Sequence, residues 1–310
     1  MGEKIVLGAI HSEGLDSRNI EFEFPVGMQN SKFAIGLDTS KYAIDDPDFT
    51  VEGSSSRIWA RFSLPEATFL GMPLRREFGL EHSASQDDLI VSGSSSPSQD
   101  RTTSRVYASA STNWTSDSSN LALNFNAKVT LGDLDLSRIQ SVYDGDLAGA
   151  QTHGDFAKLN FDVAGQFRVN AETSLTATAT CQVTNKNLGS DDEIDVSGPS
   201  AVRAYAIGSV SGDQGCYLQS ELIRQFTEKT AGYIFSDMAY VQTNKSLFTD
   251  WQVDEEENRF GIMSAGLGLR MSLTDEINLS LSYAHRIGGC DGCASPQADG
   301  QFWGLITGSF

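Results

Sequence analysis

Hydrophobic and polar residues alternate along most of this chain, and a helical spacing of hydrophobic residues is almost absent. In LALNFNAKVTL, residues 121–131, apolar side chains occupy every second position, and most positions between them hold asparagine, lysine or threonine. Because successive side chains of a β-strand point to opposite faces, this pattern predicts a strand with one apolar and one polar face. The same alternation recurs around residues 20–24, 33–38, 267–273 and 277–283.

The alternation predicts about fourteen strands, several of them long enough to cross a bilayer. A tilted strand needs about 9–11 residues to cross, whereas strands of globular proteins most often have about 5–6. The lengths therefore favour a membrane β-barrel. The predicted strands lie near residues 5–12, 18–26, 31–44, 55–68, 73–86, 101–114, 119–131, 155–169, 173–187, 214–226, 229–243, 258–273, 276–288 and 301–310.

The predicted connections alternate between short and long. Outer-membrane barrels show this asymmetry, with tight periplasmic turns and long extracellular loops. Aromatic residues stand near the strand ends, where a membrane interface favours them: Tyr42, Trp59, Trp114, Tyr233 and Trp303. The short connections are 26–30, 70–73, 115–119, 169–172 and 227–229, and the long ones are 45–54, 87–100, 132–154, 188–213, 244–257 and 289–300.

The charge of the chain excludes one class of partner. The 310 residues include 41 acidic and 22 basic side chains, for a formal charge of -19. Nucleic-acid binding needs a basic surface, so we expect no nucleic-acid partner. No stretch is apolar for long enough to form a membrane-spanning helix, but membrane β-barrels lack that signal too. The start, MGEKIVLGAI, has no signal-peptide pattern, which predicts either a cytoplasmic protein or a mature or truncated chain.

No set of residues predicts an enzyme, a metal site or a cofactor. The histidines His11, His82, His153 and His285 are scattered, and no serine lies in a G-x-S-x-G motif. Of the four cysteines, Cys290 and Cys293 are close together, and we interpret them as a loop pair, reduced or disulfide-bonded, in preference to a zinc or redox site. The acidic runs 46–48 and 191–195 are interpreted as solvated loops in preference to calcium sites.

One glycine-rich segment carries a specific motif. The run GPSAVRAYAIGSVSGDQG, residues 198–215, is followed by Glu221 and Leu222. It resembles the loop motif of the transporters of two-partner secretion, the haemolysin or adhesin secretion/activation proteins. The matching residues are Gly198, Pro199, Val202, Arg203, Ala204, Tyr205, Gly208, Gly212, Asp213 and Gly215.

Three other stretches are similar to the same family. Residues 132–161 and 174–188 resemble the segments that precede the motif loop in the family. IFSDMAY, residues 234–240, resembles its F-x-D-x-G strand motif, with Phe235 and Asp237 in place and Ala239 where glycine is usual. The last residue, Phe310, resembles the C-terminal signal that is read by the barrel assembly machinery.

The resemblance implies an all-β fold, a transmembrane antiparallel β-barrel. Residues 1–310 would be the barrel portion, with fourteen strands visible of a sixteen-strand barrel, and without the periplasmic domains and the first two strands. In the family the motif loop, here 197–215, re-enters the barrel lumen. Its arginine meets the aspartate of the strand motif, so we expect Arg203 to pair with Asp237.

The resemblance also implies the function: a pore in the bacterial outer membrane that secretes and activates a large partner exoprotein with a β-helical passenger. Outer-membrane lipid and the barrel assembly machinery are the other expected partners, and no catalysis and no cofactor are expected. The alternative is a general diffusion porin or a scaffold barrel. That alternative accounts for the alternation and for Phe310, but not for the motif loop.

Overall fold

In the part of the chain that the structure describes, fourteen long strands form one antiparallel sheet, and each inner strand pairs with the long strand that precedes it and the one that follows it in the chain. The number agrees with the prediction. Among the described residues, β1 pairs only with β2 and β17 only with β16. The computed structural model describes residues 2–12, 15–27, 31–45, 48–91, 94–116, 118, 120–248, 258–288 and 299–308.

The elements follow the alternation seen in the sequence. They are β1 Lys4–Ser12, β2 Leu15–Pro25, β3 Lys32–Asp45, β4 Thr50–Ser63, β5 Ala67–Phe69, β6 Met72–Val91, β7 Ser94–Ser116, β8 Leu121–Asp135, α1 Gln140–Ala148, β9 Gly154–Arg168, β10 Thr173–Thr184, β11 Ile194–Asp195, β12 Ser211–Gly212, β13 Gln214–Thr227, β14 Thr230–Gln242, β15 Arg259–Ser272, β16 Ile277–Gly288 and β17 Gly300–Gly308. The short strand β5 pairs with β6, and β11 pairs with β12 apart from the main sheet.

The sheet turns its apolar face outward. Large hydrophobic side chains on that face are strongly exposed, among them Leu267 at 62%, Ile234 at 60% and Ile306 at 69%. Exposing an apolar surface of this extent to water is energetically unfavourable, whereas the hydrocarbon core of a membrane can cover it. The structure therefore confirms the alternation as that of a membrane barrel. Within the part of the chain that the structure describes, no helix has the length and apolar character to cross a bilayer.

Several of the long predicted loops contain regular structure, most of it in 87–100 and 132–154. The connection predicted at 87–100 is mostly strand, because β6 runs to Val91 and β7 starts at Ser94, with paired residues between them. Backbone hydrogen bonds sustain this ladder although its side chains are mostly serine, aspartate and glutamine. The connection at 132–154 holds the tail of β8 and the helix α1.

The aromatic residues assigned to the membrane interface mostly face the interior, so that interpretation was wrong. Trp59 donates a hydrogen bond to Asp38 at 3.0 Å, and Trp303 donates one to the carbonyl oxygen of Arg203 at 2.7 Å. Tyr233 is 6% exposed. Indole and phenol groups have an apolar ring and a polar tip, so they suit a polar lumen as well as an interface. Sequence position alone does not separate the two.

A disulfide that the sequence analysis did not predict joins β10 to β13. Cys181 and Cys216 are directly opposite each other in the strand pairing, and their sulfur atoms are bonded. The two strands flank the motif loop, so the disulfide closes the chain around its base. Cys290 and Cys293, the pair singled out from the sequence, lie outside the described residues.

Candidate functional site

The segment between β10 and β13 packs against the polar, inward face of the sheet. Its apolar side chains form the main hydrophobic core together with residues of β14, β15 and β16. β14 is apolar on both faces, since Phe235 and Val241 meet the loop while Ile234 and Met238 are exposed outside. The core residues are Ile194, Val196, Val202, Ala204, Tyr205, Val210, Tyr233, Phe235, Ala239, Val241, Ile262 and Ala284.

Arg203 of the loop is paired with Asp237 of β14. Its Nε donates to Asp237 Oδ2 at 2.9 Å and its Nη2 to Oδ1 at 2.7 Å, the two-pronged geometry that suits a guanidinium and a carboxylate. The backbone N–H of Arg203 and the hydroxyl of Ser264 also donate to Asp237 Oδ2. Asp237 is fully buried and Arg203 is 4% exposed. Both carboxylate oxygens of Asp237 thus accept hydrogen bonds, from the loop residue Arg203 and from the wall residue Ser264.

Other wall residues complete the environment of Arg203. Its Nη1 donates to Glu221 Oε1 at 2.7 Å, and its guanidinium lies over the ring of Phe235, 3.6 Å from the centroid. The indole N–H of Trp303, on the last strand, donates a hydrogen bond to the carbonyl oxygen of Arg203. Burial disfavours the cation, but hydrogen bonds and charge from Asp237 and Glu221 outweigh this and raise the pKa of Arg203. Arg203 therefore joins the loop directly to β13, β14 and β17.

The remaining motif residues shape the loop. Gly208 has a φ of +71°, which disfavours any other residue, and a Cβ on Gly212 would lie 2.5 Å from a carbonyl oxygen of β14. Gly198 also has a positive φ, and Gly215 lies close to β14. Val202 is fully buried. The carbonyl of Pro199 accepts a hydrogen bond from Gln219, and the hydroxyl of Tyr205 donates to Gly288 O at 3.1 Å.

Asp213 fixes the end of the loop. Its two carboxylate oxygens accept backbone N–H groups from Leu188 at 2.8 Å and from Lys245 at 2.6 Å, and its side chain is buried. Burial raises the pKa of Asp213 to about 6, and the nearby carboxylate of Glu193 adds to this effect, while the two N–H groups oppose it. Burial also raises the pKa of Glu193.

Asp192, which sequence analysis placed in a solvated acidic loop, is 3% exposed. Arg105 of β7 donates to both of its carboxylate oxygens, at 2.9 Å and 2.7 Å. Lys158 of β9 lies 3.0 Å from Asp192 Oδ1. The interpretation as a solvated loop is therefore wrong at this residue. The sequence held one signal, since Arg105 and Lys158 stand on the polar faces of predicted strands and need partners there.

A family model matches residues 14–271, the greater part of the chain, and its description is haemolysin secretion/activation protein ShlB/FhaC/HecB. The chain belongs to this family. The resemblance noted from the motif loop is thereby confirmed. A search of curated proteins returned no match.

Solved structures support the fold of this ShlB/FhaC/HecB family member. CdiB from Acinetobacter baumannii superposes with a TM-score of 0.68 at 16% identity, over 94% of this chain and 49% of that one. CdiB from Escherichia coli gives 0.68 at 16%, over 94% and 53%. BamA from Haemophilus ducreyi lacking POTRA domains 1–3 gives 0.65 at 14%, over 99% and 64%. The fold is the β-barrel of these proteins, and the chain spans about half the length of the CdiB chains.

Family membership and fold together place this ShlB/FhaC/HecB member in the bacterial outer membrane, as predicted. The family is one of transporters, and the porin alternative is not favoured. Of the residues selected from the sequence, the structure brings the motif loop and the wall residues Phe235 and Asp237 together. Phe310 lies outside the described residues.

Proposed function

We propose that this chain is the barrel portion of an outer-membrane pore that secretes and activates a large exoprotein by two-partner secretion. Membership of the haemolysin secretion/activation family supports a function in protein secretion. The observation that carries the proposal is the motif loop, which fills part of the polar interior and is held there by the buried Arg203–Asp237 pair. A pore that must exclude small solutes and yet pass a polypeptide needs a loop that is held in place and releasable.

The loop acts as a conformational element in this proposal. The wall offers hydrogen bonds and charge pairs, which break and re-form without covalent chemistry. The exported chain, with a β-helical passenger, passes in extended form. Outer-membrane lipid covers the apolar face, and the barrel assembly machinery inserts the protein.

Secretion by the full-length protein tests this function. We expect Arg203→Ala or Asp237→Ala to reduce export of the partner exoprotein while the barrel remains in the outer membrane. Planar-bilayer recording of the same proteins adds a second measurement, in which loosening the loop changes the conductance. Unchanged export together with unchanged conductance would contradict the role of the loop. Large, steady openings of the parent protein without a partner would favour a diffusion porin.

A further inference from the structure

The segment that leads into the motif loop is fixed to the barrel wall at a place separate from Arg203. The carboxylate of Asp192 meets the guanidinium of Arg105 through two hydrogen bonds, at 2.9 Å and 2.7 Å. Lys158 Nζ lies 3.0 Å from Asp192 Oδ1 and also donates to the backbone oxygen of Asp192 at 2.8 Å. We propose that Arg105 and Lys158 form a carboxylate-binding site for Asp192, and that this site is a second, independent anchor of the motif loop.

Burial shows that this contact differs from an ordinary surface ion pair. The side chains of Asp192, Arg105 and Lys158 are 4%, 9% and 13% exposed. Burial opposes ionisation of Asp192, but hydrogen bonds from Arg105 and the charges of Lys158 and Arg105 outweigh it and lower its pKa. Exposed pairs contribute little to stability, whereas removing one partner of a buried pair leaves an uncompensated charge.

On the barrel wall, the site for Asp192 stands in a line of alternating acidic and basic side chains. Each basic group lies between two acidic ones or ends the line, so the carboxylate of Asp192 fills a gap in an ordered series. When Asp192 leaves, Lys158 loses this acidic partner and Arg105 keeps Glu81. The successive pairs are Asp38–Arg57 at 2.8 Å, Arg57–Glu81 at 3.6 Å, Glu81–Arg105 at 2.9 Å, Arg105–Asp192 at 2.7 Å and Asp192–Lys158 at 3.0 Å.

The second anchor is connected to the motif but uses different strands. Gln182 donates to the backbone oxygens of Asp192 and Asp213, at 2.9 Å and 3.0 Å, and so joins Asp192 to the end of the motif loop. The side-chain partners of Asp192 are on β7 and β9, whereas the partners of Arg203 are on β13, β14 and β17. Breaking one anchor leaves the contacts of the other in place. We therefore expect their effects on loop release to multiply.

Water can reach the second anchor once it opens. The charged line borders a polar cavity of 570 Å³, which Asp191, Asp192, Arg105 and Lys158 help to line. The Arg203 anchor, in contrast, lies in the hydrophobic core of the loop. A pair that faces a polar cavity is easier to hydrate when it separates than a pair enclosed by apolar groups. The Asp192 anchor is accordingly the one that opens first.

The test compares two neighbouring aspartates in the full-length protein reconstituted in lipid vesicles. Asp192→Asn removes the buried charge, and Asp191→Asn makes the same chemical change next to it, on a side chain that is 43% exposed. The rate of tryptic cleavage after Arg203 reports loop release. We expect Asp192→Asn to raise this rate about tenfold or more, and Asp191→Asn to change it less than about twofold. Equal rates for the two variants would overturn the proposal.

A mutant cycle tests the partners. Asp192→Asn combined with Arg105→Gln should release the loop no faster than the stronger single variant, since both remove one contact. Asp192→Asn combined with Asp237→Asn should multiply the two single effects. The opposite pattern in either cycle would refute a separate anchor. If Asp192→Asn fails to fold, Arg105→Lys, which retains the charge and loses the two-pronged contact, replaces it, and an unchanged cleavage rate would refute the proposal.

This experiment does not measure secretion, so the second anchor and the secretion function can fail separately. If the protein does not export its partner but shows the expected cleavage pattern, only the function is refuted. If it exports normally and both variants are cleaved at equal rates, only the anchor is refuted.

Discussion

Replacing Asp237 by asparagine tests the strongest contact of the motif loop. The carboxylate accepts four hydrogen bonds, three from Arg203 and one from Ser264. An asparagine retains one acceptor oxygen and places an N–H₂ group against donors of the guanidinium. The loop would keep its packing and the contact between Arg203 and Glu221.

The expected size follows from burial. Removing one partner of a desolvated ion pair costs roughly 3–5 kcal/mol. Because Glu221 still neutralises part of the charge of Arg203, we expect the lower end, about 3 kcal/mol. Each 1.4 kcal/mol corresponds to about a factor of ten in an equilibrium constant. The released form of the loop should therefore become roughly a hundredfold more populated.

Tryptic cleavage after Arg203 measures this population, because the bond is accessible only when the loop leaves the wall. A matched control is Asp275→Asn, since Asp275 is 96% exposed and pairs with Lys229 in a turn between strands. We expect no change for this control, because exposed pairs contribute about 0–1 kcal/mol. A cleavage rate of Asp237→Asn equal to that of the control would refute the argument.

Three further predictions concern the base of the loop. The thiols of Cys181 and Cys216 should react with maleimide only after reduction. Cys181→Ser should lower the free energy of unfolding by up to about 4 kcal/mol for a loop of this length, measured by urea denaturation. Gly212→Ala should speed tryptic cleavage, because its Cβ would lie 2.5 Å from a backbone carbonyl of β14; normal cleavage would show that the strand yields easily. The pKa of Asp213 rises to about 6 in the folded protein, so the bound proton stabilises the docked loop at low pH. This stabilisation is lost as pH rises through 6. The raised pKa of Glu193 has an effect in the same direction. Cleavage of the parent relative to Asp213→Asn should therefore be slower at pH 5 than at pH 7.5, and a ratio independent of pH would contradict this.

The sequence determined the strands and the family motif. Alternation fixes which side chains share a face of a strand, and that local rule needs no knowledge of the rest of the fold. It gave the fourteen long strands and the outward apolar face. The spacing of the motif around Arg203 was specific enough to indicate the family, and the resemblance supplied Asp237 as its partner.

Tertiary structure decided which strands face the loop and which charges meet. Nothing local distinguishes Asp192, buried against Arg105 and Lys158, from its exposed neighbour Asp191. Trp59 and Trp303 are equally compatible with a lipid interface and a polar lumen until the sheet curves. Cys181 and Cys216 become neighbours only through the register of β10 and β13. These contacts join residues distant in the chain, so their partners are set by strand order and register, which alternation alone leaves open.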